Sequence, residues 1–170
     1  MEGESILQTM AEVSVALAGF TGVIAAFGQR RGRWTATDTV RFRVMLSTSL
    51  LALGISVFPF AVHHMGAEPA ATWTISSALL AAVLVIMLLL NTHWVRQLGA
   101  RKDASFRMWV FLSAYSLVSV AAVCLVLNAL GIGFHRTFGP YFLALCCVLL
   151  NCALMFIRLL SFVGQQFAEE

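Results

Sequence analysis

Unbroken apolar runs, five in number and each about twenty residues long, limit what this chain can fold into. As a helix, a run of that length matches the roughly 30 Å hydrocarbon thickness of a lipid bilayer. Hydrophobic residues make up 60% of the 170 residues and charged residues 11%, whereas charged residues make up about 25% of a soluble domain. The sequence therefore predicts an all-α membrane protein with a single transmembrane domain over residues 1–170.

The apolar runs define the predicted transmembrane spans and their connections. The spans are about 6–27, 42–62, 73–94, 108–130 and 141–163. No connecting segment is long enough to be a linker between domains. No basic region precedes the first run, so we expect this run to be retained as a helix rather than removed as a signal peptide. The prediction is a bundle of five membrane-spanning helices.

The basic residues alternate between the loops and predict the topology. Lys and Arg number five in 29–43, none in 63–72, four in 95–107 and one in 131–140. Short loops rich in Lys and Arg stay on the cytoplasmic side of a membrane. With five spans, this pattern predicts an external N-terminus and a cytoplasmic C-terminus. The expected location is a cell membrane, such as a bacterial inner membrane.

The first span contains Glu12, the one acidic residue inside an apolar run. At the helical period, Glu12 falls on a small-residue stripe with Ser5, Thr9, Ala16, Gly19, Val23 and Ala26. An ionisable group is costly in lipid, so Glu12 is expected to face protein or a wet cavity. Small residues let a second helix approach closely. The sequence thus predicts a path or a packing surface, centred on Glu12, Ala16, Gly19 and Val23.

A polar cluster is predicted at the external ends of the spans, at a depth similar to that of Glu12. Its members are His63, His64, Asn128, His135 and Arg136. A carboxylate beside such groups can form a proton relay, a cation site or a salt bridge that only fixes helix packing, and these alternatives stay open. Adjacent histidines point about 100° apart on a helix, so they are expected at the headgroup level rather than on a metal. No metal and no cofactor is predicted.

Arg158 and the four cysteines are expected to have structural roles. Arg158, near the cytoplasmic end of the fifth span, is expected to extend to the inner headgroups. The cysteines all lie inside apolar runs, which favours small core side chains over disulfides. They are Cys124, Cys146, Cys147 and Cys152.

An internal repeat is a further hypothesis. With an offset of 66 residues, six identities relate the second span to the fourth. Arg41, Val44, Leu46, Ser47, Leu51 and Val57 match Arg107, Val110, Leu112, Ser113, Leu117 and Val123. The chain would then be one helix followed by two tandem two-helix hairpins. The first helix would be free to pack against a neighbouring subunit.

The function predicted from these features is ion or proton transport by a homo-oligomer, with the first helix lining the path across the bilayer. No catalytic motif such as H-E-x-x-H, G-x-S-x-G or a Walker loop occurs, so an enzyme is not expected. The basic residues lack interleaved aromatics, so no nucleic-acid partner is expected either. The alternative is a non-transporting scaffold, accessory subunit or sensor that binds a partner or anionic lipid. That alternative predicts that the small-residue stripe is buried against the other spans of the same chain.

Overall fold

Five α-helices make up the fold. The computed structural model describes residues 3–30, 36–100, 108–133 and 136–168. The helices are α1 (Glu4–Arg30), α2 (Ala36–His64), α3 (Pro69–Ala100), α4 (Met108–Leu130) and α5 (Phe138–Ala168). The described residues contain no strand. The predicted all-α fold with five helices is confirmed, and each predicted span lies within one helix.

Four helices are longer than the apolar runs from which they were predicted. α3 begins at Pro69, because the fixed φ of proline suits the first helical turn and its missing N–H costs nothing there. It continues to Ala100, beyond the apolar run. Hydropathy detects only the part of a helix that matches a hydrocarbon core, whereas the backbone hydrogen bonds of a helix continue into polar sequence. Only α4 has the bounds of its predicted span.

Four helices contain stretches long and apolar enough to cross a membrane. They are Glu4–Ala26, Phe42–His64, Pro69–Leu90 and Phe138–Ile157. In α4, the stretch Tyr115–Leu130 is a shorter apolar helix. A helix satisfies its own backbone groups, as a segment surrounded by lipid must. These helices indicate a multi-pass membrane protein.

The chain divides into two compact units. The hairpin unit consists of Met1–Gly3 and Phe58–Val148, and the terminal unit consists of Glu4–Val57 and Leu149–Glu170. In the hairpin unit, α3 packs along α4. Aromatic side chains join α3 to the start of α5, because the ring of Trp73 lies 5.3 Å from that of Phe138 and 5.5 Å from that of Tyr141.

The first residues of the chain also belong to the hairpin unit. Gly3 has a φ of 74°, and a methyl group added to it would overlap the ring of Phe138. Phe138 is the first residue of α5. Gly3 therefore lies beside the start of α5.

The terminal unit has its own core of α1, α2 and α5. Met45 and Cys152 are buried at its centre, and the half-buried Leu17 and Ile24 of α1 pack against them. The rings of Phe20 and Phe156 lie 6.4 Å apart. α1 therefore packs on the core of the terminal unit through one face.

Candidate functional site

The small-residue stripe of α1 is exposed over its whole length. Its members are Ser5, Thr9, Glu12, Ala16, Gly19, Val23 and Ala26, and all seven are exposed. Their spacing alternates between four and three residues, which is the spacing of a seam between two helices that wind around each other. The buried residues of α1 lie on the opposite side of the helix, and they are Leu7, Ser14, Thr21 and Ala25. The stripe therefore points away from the core of the terminal unit.

Glu12 lies well inside the membrane-spanning stretch of α1. It is eight residues, or about 12 Å, from the start of that stretch at Glu4. The side chain is exposed. A carboxylate at such a position costs about 2.5–3.5 kcal/mol on insertion scales, unless protein, water or a counter-ion meets it. The single chain leaves this position open for such a group.

The two glycines of α1 have open space around them. A Cβ atom added to Gly19 or to Gly22 would meet nothing within 4 Å. Gly19 belongs to the small-residue stripe, and Gly22 flanks the stripe, about 60° around the helix from Gly19. A side chain at either position would therefore find room within the single chain, and the space beside Gly19 is open.

The polar groups on the inner side of α1 are satisfied within the helix. The hydroxyl of Ser14 donates to the carbonyl of Met10 at 2.7 Å, and that of Thr21 donates to the carbonyl of Leu17 at 2.6 Å. A hydroxyl that donates back to its own helix has used its one proton, so it cannot donate to a neighbouring helix as well. The charged group of α1 is thus on its outer face, and its satisfied hydroxyls are on its inner face.

The predicted polar cluster consists of residues with separate local roles. Glu12 belongs to the terminal unit, whereas His63, His64, Asn128 and Arg136 belong to the hairpin unit. The proximity of Glu12 to these four residues stays a prediction. His135 lies outside the described residues, and so does the side chain of Arg158, whose backbone is part of α5.

Asn128 is a buried structural residue. Its amide nitrogen donates to the hydroxyl of Ser77 at 2.9 Å and to the carbonyl of Thr137 at 3.2 Å, and its amide oxygen accepts from the N–H of Thr137 at 3.3 Å. Both ends of the amide are occupied by protein. Asn128 therefore fixes the turn between α4 and α5 to α3.

The two histidines end α2. Their rings lie 6.2 Å apart and nearly perpendicular. Nδ1 of His64 is hydrogen-bonded to the carbonyl of Phe60 at 2.9 Å, whereas Nδ1 of His63 is buried and has no partner among the described residues. Over the described part of the chain, no three His, Cys, Asp or Glu side chains come together as metal ligands.

Of the cysteines, Cys147 and Cys152 are buried, and Cys124 and Cys146 are half-buried, with no disulfide among them. Cys152 is part of the terminal core, as expected of a small core side chain. Its Sγ lies 2.8 Å from the Oγ of Ser49, whose hydroxyl donates to the carbonyl of Met45 at 3.0 Å. The thiol also lies 3.8 Å from the carbonyl of Met45, so the thiol and the hydroxyl share this acceptor and either can donate to the other.

Sequence reasoning missed two buried polar residues. Asn151 is 5% exposed and its Oδ1 has no hydrogen-bond partner in the described structure, and the same holds for the hydroxyl of Ser76, which is 1% exposed. The available signal was a polar residue inside an apolar run. That signal is weak, because the same runs contain hydroxyls that bond to their own helices.

The fold and these sites define a multi-pass α-helical membrane protein with an acidic, small-residue stripe on the outer face of α1. Comparison of the chain with protein-family models, with curated proteins and with solved structures finds no match. The geometry of the stripe is therefore the basis for the function proposed below.

Proposed function

We propose that the protein is a homo-oligomeric channel or transporter for ions or protons, with α1 lining the path and Glu12 as its charged station. The observation that carries this proposal is the exposure of Glu12 inside a membrane-spanning stretch, on a stripe of exposed small residues. A group of this kind is costly against lipid, and intramembrane carboxylates commonly mark ion or proton pathways.

A second copy of the chain is the simplest molecule to cover the stripe. The heptad spacing is self-complementary, so α1 helices from symmetric copies can pack along it. Ala16 and Gly19 allow a close approach. α1 is also the least buried of the four candidate spans, since 17% of its most apolar stretch is buried against 33% to 44% in the others. In the proposed assembly, neighbouring subunits cover this helix.

A path follows from placing several Glu12 side chains near one symmetry axis. Ionised carboxylates repel each other in a dry interface, so the site requires water, a cation or shared protons. Water, a cation or shared protons between the carboxylates would each allow a positively charged species to bind at the interface. The small side chains around Glu12 leave room for it.

The proposed topology includes all five helices as spans. α4 has 23 residues, which is about 34 Å of helix and enough to cross a bilayer. The two basic loops are proposed to face the cytoplasm and the N-terminus the outside of a cell membrane.

A non-transporting scaffold, accessory subunit or sensor is the second candidate. The observation that favours it concerns the buried hydroxyls of the terminal unit. Those of Ser14, Thr21 and Ser49 all donate to carbonyls of their own helices. These hydroxyls offer no polar route through one protomer. In this candidate, a helix from a different membrane protein covers the small-residue stripe. The exposure of the stripe does not support burial against the spans of the same chain.

The experiment that tests the proposal is ion flux into liposomes that contain the purified protein, followed with pH and potential dyes. We expect the native protein to conduct and Glu12→Gln to lose flux or change selectivity. Glu68→Gln is the matched control, because Glu68 is an exposed acid in the α2–α3 loop. Equal flux from Glu12→Gln would remove Glu12 from the path. Absence of flux from the native protein would favour the second candidate.

A further inference from the structure

Gly131 follows the last residue of α4, and the side chain of Arg136 lies against it. Gly131, with a φ of 71°, donates to the carbonyl of Asn128 at 3.2 Å, and Ile132 donates to that of Leu127 at 3.0 Å. These two bonds form a Schellman motif, which requires the left-handed conformation that glycine adopts without strain. A Cβ atom on Gly131 would lie 3.3 Å from Nε of Arg136. The arginine side chain therefore folds back over the end of the helix.

A buried clamp holds Arg136 in this place. Thr137, the next residue, is bonded through both its N–H and its carbonyl to the amide of Asn128. Arg136 itself has a φ of 55° and is exposed. The backbone that follows Arg136 is thus fixed, while the Arg136 side chain is exposed.

The residues on either side of Gly131 in the sequence are aliphatic and exposed. Leu130 is 60% exposed and Ile132 is 58% exposed. A cation with five N–H donors beside two exposed aliphatic groups matches an amphiphile, which has an anionic head and apolar chains. This end of a membrane-spanning helix is also where the headgroup layer is expected.

We propose that Arg136, Leu130 and Ile132 form a binding site for an anionic phospholipid. The phosphate receives hydrogen bonds from the guanidinium, and the start of the acyl chains packs on the two aliphatic side chains. A free phosphate would satisfy the arginine and leave the aliphatic groups in water, so the aliphatic pair favours the lipid. The site does not depend on ion transport, because it involves neither Glu12 nor α1.

Native mass spectrometry of the purified full-length protein tests this site. The protein is equilibrated in micelles with equal amounts of phosphatidylglycerol and phosphatidylcholine, and the retained lipid is weighed. We expect a preference for phosphatidylglycerol that falls about fivefold in Arg136→Gln, as expected for one basic residue at an anionic surface. Arg136→Lys should keep part of it. Glu68→Gln, which neutralises an exposed charge in the α2–α3 loop, should not lower it.

A second variant separates the lipid from a free anion. Ile132→Asn keeps the charge and should also lower phosphatidylglycerol retention, because it removes the aliphatic contact. Unchanged retention in Arg136→Gln, or equal retention of the two lipids by the native protein, would overturn the proposal. Displacement of the lipid by millimolar inorganic phosphate, with no effect of Ile132→Asn, would show a free-anion site instead. A native circular dichroism spectrum of each variant shows that it is folded.

Discussion

The side-chain amide of Asn128 donates a hydrogen bond to the hydroxyl of Ser77, 2.9 Å away on the neighbouring helix. Through the same amide, Asn128 also bonds to both polar groups of the Thr137 backbone. One buried residue thus connects α3, α4 and the turn that leads into α5. Apolar side chains cannot provide this directionality, and in a medium without water each of these bonds lacks a solvent competitor.

Replacing Asn128 should therefore destabilise the protein. Asn128→Leu removes both bonds to the Thr137 backbone and leaves the fully buried hydroxyl of Ser77 without its donor, and a buried unsatisfied group costs about 1–3 kcal/mol. We expect a lower midpoint of unfolding in detergent, measured from the helical circular dichroism signal during titration with sodium dodecyl sulfate.

Asn151→Leu is the matched control for this prediction. Asn151 is equally buried in an apolar core, but its Oδ1 has no hydrogen-bond partner among the described residues. Removing an unsatisfied polar group should leave stability unchanged or raise it. A loss of stability from Asn151→Leu as large as that from Asn128→Leu would contradict this explanation.

A bulky residue at Gly19 should separate the subunits of the proposed oligomer without disturbing the protomer. Gly19→Leu adds a side chain into open space within the chain, and leucine favours a helix by up to about 1 kcal/mol over glycine. The same side chain would hold a second α1 away from the small-residue stripe. We expect a smaller assembly by light scattering after size-exclusion chromatography, with unfolding of the protomer unchanged or slightly later.

Gly54→Leu makes the same change at an exposed glycine of another helix, α2. Its surroundings in the chain are equally open, so its effect on the protomer should match that of Gly19→Leu. The oligomer should be retained. If both variants dissociate alike, or neither does, the stripe is not the subunit interface.

A side chain at Gly3 should release the first residues of the chain. Gly3 and Gly66 have similar backbone conformations, with φ of 74° and 88°. Only Gly3 has the ring of Phe138 in the place of a Cβ atom. Gly3→Ala and Gly66→Ala both introduce left-handed strain of about 1 kcal/mol, but Gly3→Ala should also displace the ring. We expect faster proteolysis near the N-terminus in Gly3→Ala alone, and equal proteolysis would disprove the contact.

Enlarging Cys152 should disrupt the terminal core. Cys152 is fully buried between Met45 and Ser49, so Cys152→Phe should overpack this core at a cost of about 1–3 kcal/mol. Cys146, six residues earlier on α5, is half-buried. Cys146→Phe should be tolerated with little change in the unfolding midpoint, and comparable losses in both variants would count against the packing described for Cys152.

Much of the fold could be predicted from apolar runs because a helix is a local structure. The bonds that form it join residues four apart, and a run of twenty apolar residues has few other solutions in a membrane. The same periodicity placed Glu12 and Gly19 on one stripe. Asn128 was predicted as part of the external polar cluster. Its contacts with Ser77 and Thr137 instead join residues that are 51 and 9 positions away. No local pattern contains such pairings.

The sequence by itself determined five helices, a membrane-spanning class and a stripe that joins an acid to small residues. Only the tertiary structure decided that this stripe faces away from the core of the terminal unit, that the opposite face with Ser14 and Thr21 packs inward, and that Asn128 is a clamp. The reason is that lipid is as apolar as a protein interior, so hydropathy does not distinguish the packed face of a membrane helix from the free one. Shape complementarity between distant residues makes that choice.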